Sequence, residues 1–321
     1  MTSKVMAASP FGLKRGPTTE TVGVLIAILS STFGGMAGAV TRYVVDSIDP
    51  VTIAAFRFGI GVLLLLLLTL LLRSVFPRGR DWIGAALLGV MFFAVFFVFY
   101  NIALAYTTAA RGALALSTLP LWTMVVAALL GAEPLTARKT LGVLIAVGGV
   151  GVALSAGLAS APQGAWRGDL IMVAATLCMA FYNVWSRPFI ARSSPLGFVT
   201  ASMSAGAACL VAVAAFSGGF AVTQSFAATQ WVAVIYLGAF GGAAAFFLWV
   251  LALRMTTPTR VANTMTVNPI AASLLAAVLV GEPIGWNLVI GLVAVAAGIW
   301  LASTSASGQK NEQGQSPARM S

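Results

Sequence analysis

The chain has 321 residues, of which 60% are hydrophobic and only 8% charged, and its formal net charge is +10. So small a charged fraction cannot solvate a globular surface, which excludes an ordinary soluble domain and points to a membrane protein. In a soluble protein the excess of Lys and Arg would suggest a nucleic-acid partner, so the placement of those residues decides what the charge means.

A bilayer core of about 30 Å takes roughly 20 apolar residues per helix. On that measure the chain predicts ten spans, at 22–42, 51–72, 82–105, 109–130, 141–154, 168–189, 196–216, 230–253, 260–280 and 287–301. Unbroken apolar stretches such as 62–72 contradict the alternation of a β-barrel strand, so the expected fold is all-α. With the N-terminus inside, ten crossings place Arg42, Arg57, Arg111 and Arg167 outside and every other Lys and Arg in the cytoplasm. That bias predicts a multi-pass protein of a bacterial inner membrane with both termini cytoplasmic. The basic charge is therefore topological, and the expected partners are membrane lipid and a small-molecule substrate, not nucleic acid. Lys4, Lys14 and Arg15 ahead of the first run could pass for a secretion signal, with Ala37-Gly38-Ala39 as its cleavage site. An internal repeat that uses this run argues against cleavage.

The stretch 100–149 matches 249–298 without a gap. It pairs Thr107-Thr108 with Thr256-Thr257, Arg111 with Arg260, Pro120 with Pro269 and Glu133-Pro134 with Glu282-Pro283, all 149 residues apart. Upstream, Arg42 pairs with Arg187 and Pro50 with Pro195 at a spacing of 145. Each unit holds five predicted helices, an odd number, so the second copy enters the membrane inverted, as Arg42 and Arg111 outside against Arg187 and Arg260 inside require. The expected layout is a cytoplasmic tail at 1–20, a first five-helix repeat at 21–156, an external linker at 157–167, a second repeat at 168–303 and a cytoplasmic tail at 304–321. Polar composition without apolar periodicity predicts disorder in both tails.

Two tandem units, each with a proline-bearing fourth helix, a Gly-x-Glu-Pro-like turn and a Gly-rich fifth helix, resemble the drug/metabolite transporter superfamily in its EamA-type ten-helix branch. The resemblance spans about residues 21 to 303. It implies ten helices in two inverted repeats around a central cavity, and export of metabolites and amino acids. Within that branch the chain is similar to aromatic amino-acid exporters.

Candidate pathway residues follow from groups that are expensive in hydrocarbon. Pro120 and Pro269 lie about 16 Å into their predicted helices, near midplane, and leave the carbonyls of Leu116 and Met265 without their usual donor. Asn268, Thr264 and Arg260 form a polar stripe at helical spacing, with Asn263 and Thr266 beside it. Tyr100 and Asn101 cluster in the third run and Tyr182, Asn183 and Trp185 in the sixth, combining ring faces with amides that suit an amino acid. Trp122 and Trp249 sit deeper than Trp82, Trp231, Trp286 and Trp300, which read as interfacial anchors. Arg111 and Arg260 are charged gate candidates. Arg57 and Arg111 are expected to snorkel outward, with Asp46 and Asp49 as ion-pair partners, and Glu133 and Glu282 to cap turns. Gly34, Gly38, Gly238, Gly242 and the glycines of the fifth run read as close-packing faces.

The spans contain no central Asp or Glu and the chain has no His, so no proton relay is evident at midplane. Cys178 and Cys209 read as small apolar residues, and no metal or cofactor is expected. Without a nucleophile and base in reach of one another, an enzyme is not expected. The favoured reading is export of neutral, aromatic or large apolar amino acids by alternating access; export of a different small amphiphilic metabolite is the alternative, ahead of a membrane-embedded enzyme or a sensor. The sequence leaves open the exact substrate, the coupling ion and the oligomeric state.

Overall fold

The structure, a computed structural model, describes residues 17–44, 48–107, 109–155, 163–280 and 286–303. Helices are its regular secondary structure among these residues, with no strand. The helices are α1 (Pro17–Val44), α2 (Pro50–Leu71), α3 (Asp81–Gly89), α4 (Phe97–Tyr106), α5 (Ala109–Ser117), α6 (Leu119–Leu129) and α7 (Ala137–Ala153) in the first half. The second half has α8 (Ala165–Arg192), α9 (Pro195–Phe216), α10 (Ala228–Tyr236), α11 (Ala245–Met255), α12 (Pro258–Asn263), α13 (Val267–Val280) and α14 (Trp286–Ser303).

Several of these join end to end. A π-helical segment, Val90–Phe96, carries α3 into α4, and a second, Leu237–Ala244, carries α10 into α11. Thr118 separates α5 from α6, and a 3-10 turn, Thr264–Thr266, separates α12 from α13. Among the described residues seven segments are long and apolar enough to cross a membrane. The runs expected at 141–154, 260–280 and 287–301 fall on α7, on the broken α12–α13 rod and on α14. Residues 1–16 and 304–321 of the expected tails and most of the expected external linker lie outside the described residues, as do Asp46, Thr108, Glu282 and Pro283, whereas residues 17–20, expected in the disordered N-terminal tail, form the first turn of α1.

Local chemistry repeats with the sequence. The Asp49 carboxylate accepts from the N–H groups of Val51 and Thr52, both at 3.0 Å, with Pro50 opening α2; 145 residues on, the Ser194 hydroxyl accepts from Gly197 N at 2.9 Å, with Pro195 opening α9. Each cap satisfies helix-end donors that hydrocarbon cannot, and proline costs nothing where no intrahelical partner is required. The prolines at 120 and 269 obey the same logic. The sequence predicts a kink inside one continuous helix, but the chain breaks instead and each proline falls in the first turn of the helix that follows, α6 or α13. At the first break both the amide and the hydroxyl of Thr118 donate to Ala115 O, at 3.1 and 2.6 Å.

The helix contacts are symmetric under exchange of the halves. α1 packs on the α10–α11 rod as α8 packs on the α3–α4 rod; α1 also meets α13 as α8 meets α6. The pairs α2/α9 and α7/α14 map onto themselves. In α7/α14, a methyl placed on Gly142 would lie 2.6 Å from Ala302 N and 2.8 Å from Gly298 O, and one on Gly149 would lie 3.0 Å from Gly291 O. Low numbers thus meet high ones, so these equivalent helices run antiparallel. The α2/α9 pair does the same: Thr69 Oγ1 meets Thr200 Oγ1 at 2.8 Å, whereas Gly59 lies against Val211. Equivalent helices that run antiparallel make the repeats inverted. Without a hydrophobic drive between helices in lipid, such small faces hold them by close van der Waals contact.

Candidate substrate pathway

The largest buried cluster contains the node that joins the repeats. Asn183 on α8 is fully buried; its Oδ1 accepts from Trp249 Nε1 of α11 at 2.9 Å and its Nδ2 donates to Thr123 Oγ1 of α6 at 3.5 Å. One amide therefore ties one helix of the first repeat to two of the second. Next to it Tyr182, also fully buried, stacks on Phe92 at 4.6 Å and faces Phe93 and Phe198, with its hydroxyl 3.4 Å from Ser202 Oγ. Tyr100 stacks on Phe96 at 6.1 Å at the edge of the same ring cluster, and Trp122 packs against it half-buried. Trp185 does not join: it is 46% exposed and lies against Phe181 on the outer face of α8. Helical spacing explains the split, because 182, 183 and 186 turn inward while 185 points away.

A second polar line runs where α1 crosses the broken rod. Thr264 is buried, donating to Val261 O at 2.8 Å and sharing a 3.0 Å hydrogen bond with Ser31. Asn268 sits over Gly34, where a methyl would lie 3.2 Å from the amide nitrogen. Its Nδ2 reaches Met265 Sδ at 3.2 Å, whereas its buried Oδ1 has no hydrogen-bond partner among the described residues. An unpaired buried acceptor costs about 1–3 kcal/mol, and Asn263 Oδ1 nearby is in the same state. Pro269 adjoins it as the third residue of α13.

Arg57 departs from its expected role. Asp49 is engaged in capping α2, and the guanidinium is not drawn to it. Nε and Nη2 of Arg57 both donate to Gly241 O, at 3.0 and 2.7 Å, in the π-helical segment of the opposite repeat. A π-helix widens the turn and misaligns its carbonyls, which makes such an oxygen available. Three rings lie 5.5 to 5.8 Å from the guanidinium carbon: Phe58, Phe97 and Phe246. Snorkelling fails here because a backbone acceptor and ring faces compensate the charge at depth.

Charged groups gather at one end. Arg260, with 7% of its side chain exposed, forms an ion pair with Glu20 in the first turn of α1. The turn-capping role expected for Glu133 gives way to bridging: its Oε2 accepts from Lys139 Nζ at 3.0 Å and its Oε1 from Thr259 N at 3.1 Å. A carboxylate of the first repeat thus holds the start of α12 in the second. The backbones of Asn101 and Arg111 lie on α4 and α5, whereas their side chains lie outside the described residues. Sequence reasoning missed Glu20 and Lys139 as members of this cluster. Their burial depends on which helix ends converge, although Glu20 is visible as the lone acid of α1.

Comparison with known proteins places this geometry. The EamA-like transporter family model matches residues 21–155 and again 166–304. An uncharacterized transporter of Bacillus subtilis (strain 168), YyaM, is 24% identical over 277 residues, covering 85% of this chain and 90% of that protein. A probable terminal-alkyne amino-acid exporter of Streptantibioticus cattleyicolor is 29% identical over 240 residues, 74% of this chain and 78% of that protein. The uncharacterized inner membrane transporter YedA of Escherichia coli (strain K12) is 28% identical over 246 residues, 76% of this chain and 78% of that one. One solved crystal structure superposes with a TM-score of 0.73 at 20% identity, over 89% of this chain and 96% of that chain, which establishes likeness of fold. With a family model that covers both antiparallel halves, the multi-pass helical chain belongs to the EamA-like transporter family.

Proposed function

We propose that this transporter exports neutral, aromatic or large apolar amino acids by alternating access, from a bacterial inner membrane in which both termini are cytoplasmic. The observation that carries the reading is an interior of rings interrupted by a few amides at the junction of the repeats. Flat apolar faces suit an aromatic or thioether side chain, while Asn183, Asn268 and Thr264, with Asn101 as a fourth candidate, can orient the polar end. The likeness to a probable terminal-alkyne amino-acid exporter supports the same substrate class. The Arg260–Glu20 pair and the Glu133 bridge act as the cytoplasmic gate, closed here, and Arg111, the counterpart of Arg260, serves the outer gate. Tyr100, Tyr182, Trp122 and Trp249 shape the route. Pro120 and Pro269 mark where its helices bend, and Trp185 meets lipid.

Uptake into proteoliposomes tests this. Labelled phenylalanine, tryptophan, methionine and leucine are expected to enter, glutamate, lysine and glucose phosphate to be excluded, and a pH gradient to have no effect. Folded protein that moves none of the amino acids would sink the substrate assignment and turn attention to another small amphiphilic metabolite.

A further inference from the structure

Arg57 lies seven residues into α2, about 10 Å along a helix that crosses a core of about 30 Å. Its environment lacks the group that a buried cation most needs. Among the described residues no carboxylate lies within 4 Å of it, and its two bonded nitrogens share a single neutral oxygen, Gly241 O. Nη1 has no hydrogen-bond partner among these residues, and the side chain is half-buried rather than sealed. Among the described residues Asp81 is taken by Arg192, Glu20 by Arg260 and Glu133 by Lys139, and Asp49 caps α2.

We propose that Arg57 is the anchor for a carboxylate on the transported molecule, with Phe58, Phe97 and Phe246 holding the apolar part beside it. The proposal deepens the amino-acid reading above and rests on it. A guanidinium keeps its charge at any relevant pH and presents paired donors that match the two oxygens of a carboxylate. In a low-dielectric site the arriving anion supplies the countercharge that the protein withholds. The three rings come from α2, α4 and α11, so the surroundings of the guanidinium are built from both repeats. Rocking of one repeat against the other must alter the Gly241 contact and with it the number of donors free for the ligand. The position matched to Arg57 in the second repeat holds Ser202, at the spacing of 145 (202 − 57), so the anchor has no counterpart there.

The test is binding of phenylalanine, phenylalanine amide, phenethylamine and 3-phenylpropionate to the purified full-length protein in nanodiscs, read by competition against labelled phenylalanine and by thermal shift. Phenylalanine and 3-phenylpropionate are expected to bind about tenfold or more tighter than the two compounds without a carboxylate, the effect of losing a charged hydrogen-bond pair. Arg57→Gln is expected to erase that preference, and Arg57→Lys to keep part of it. Equal binding of the amide and the acid by the wild-type protein overturns the anchor and leaves the amino-acid reading intact, and it needs no variant to fold. Binding of 3-phenylpropionate without any amino acid keeps the anchor and removes the amino-acid reading. Arg57→Gln protein that retains the preference overturns the anchor, and binding of none of the four compounds overturns both.

Discussion

Arg57 and Ser202 occupy matched positions in the second helix of each repeat, and their side chains make opposite use of the same frame. Arg57 reaches across to Gly241 O in the π-helical segment of the other half, and its backbone presses on Gly242, where a methyl would lie 2.6 Å from Arg57 O. The Ser202 side chain stays within its own half, its hydroxyl donating to Val199 O at 3.2 Å and meeting Tyr182, whereas its backbone, like that of Arg57, packs across on a glycine of the other half, Gly89. By contrast, the α7/α14 seam treats the halves alike, because Gly142 meets Gly298 as Gly291 meets Gly149. Packing kept the symmetry of the duplication while the polar groups diverged. A two-fold frame can rock between two equivalent states, yet a single asymmetric substrate needs its charged end recognised once.

The widest break in that comparison comes from the symmetric seam. Gly298→Leu forces a side chain into a site where even a methyl lies 2.5 Å from Ala146 N, so a loss of about 3 kcal/mol or more is expected. It would be read as lost yield of monodisperse protein, and Gly148→Leu, with open space at its Cβ, serves as the tolerant control. Next comes the node between the repeats. Trp249→Phe keeps the ring volume close but leaves Asn183 Oδ1 unpaired in the core, an expected cost of about 1–3 kcal/mol, visible as a lower melting temperature and slower phenylalanine uptake.

A smaller effect on stability but a clear one on state is expected at the charged end. Glu20→Gln weakens the hold on Arg260, so a cysteine placed at Thr264 in a cysteine-free background should label faster from the cytoplasmic side. Unchanged labelling would deny that this ion pair is a gate. The smallest effect belongs to Ser202→Ala, expected to cost under about 1 kcal/mol because both partners of the hydroxyl remain otherwise packed. If Ser202→Ala slows transport as much as changes at Arg57 do, the asymmetry between the repeats carries no function.

Much of this was legible in the sequence because the bilayer imposes simple rules. The apolar runs, the pairing of Pro50 with Pro195 and of Arg111 with Arg260, and the odd number of helices per unit led to inverted helical repeats. The same rules failed where a group's partner lies far along the chain. Arg57 read as a snorkelling residue because nothing local marks Gly241 O, 184 residues away, as its acceptor. Glu133 read as a turn cap because Thr259 N, 126 residues away, is invisible until α12 is placed. The residue types at 182, 183 and 185 look alike as candidates, and only the direction of each along α8 separates a core node from a lipid-facing tryptophan.

The sequence by itself determined that the chain is an all-helical, duplicated membrane protein, since hydrocarbon demands long apolar helices and duplication leaves matched residues at fixed spacing. Only the tertiary structure decided which polar groups are spent on holding the helices together and which are left to meet something else. Asn183, Trp249 and Thr123 satisfy one another, whereas Asn268 Oδ1 and one edge of Arg57 do not. The physical reason is that a hydrogen bond in the membrane interior is a matter of distance and direction between side chains on different helices, and no spacing along a single chain encodes either.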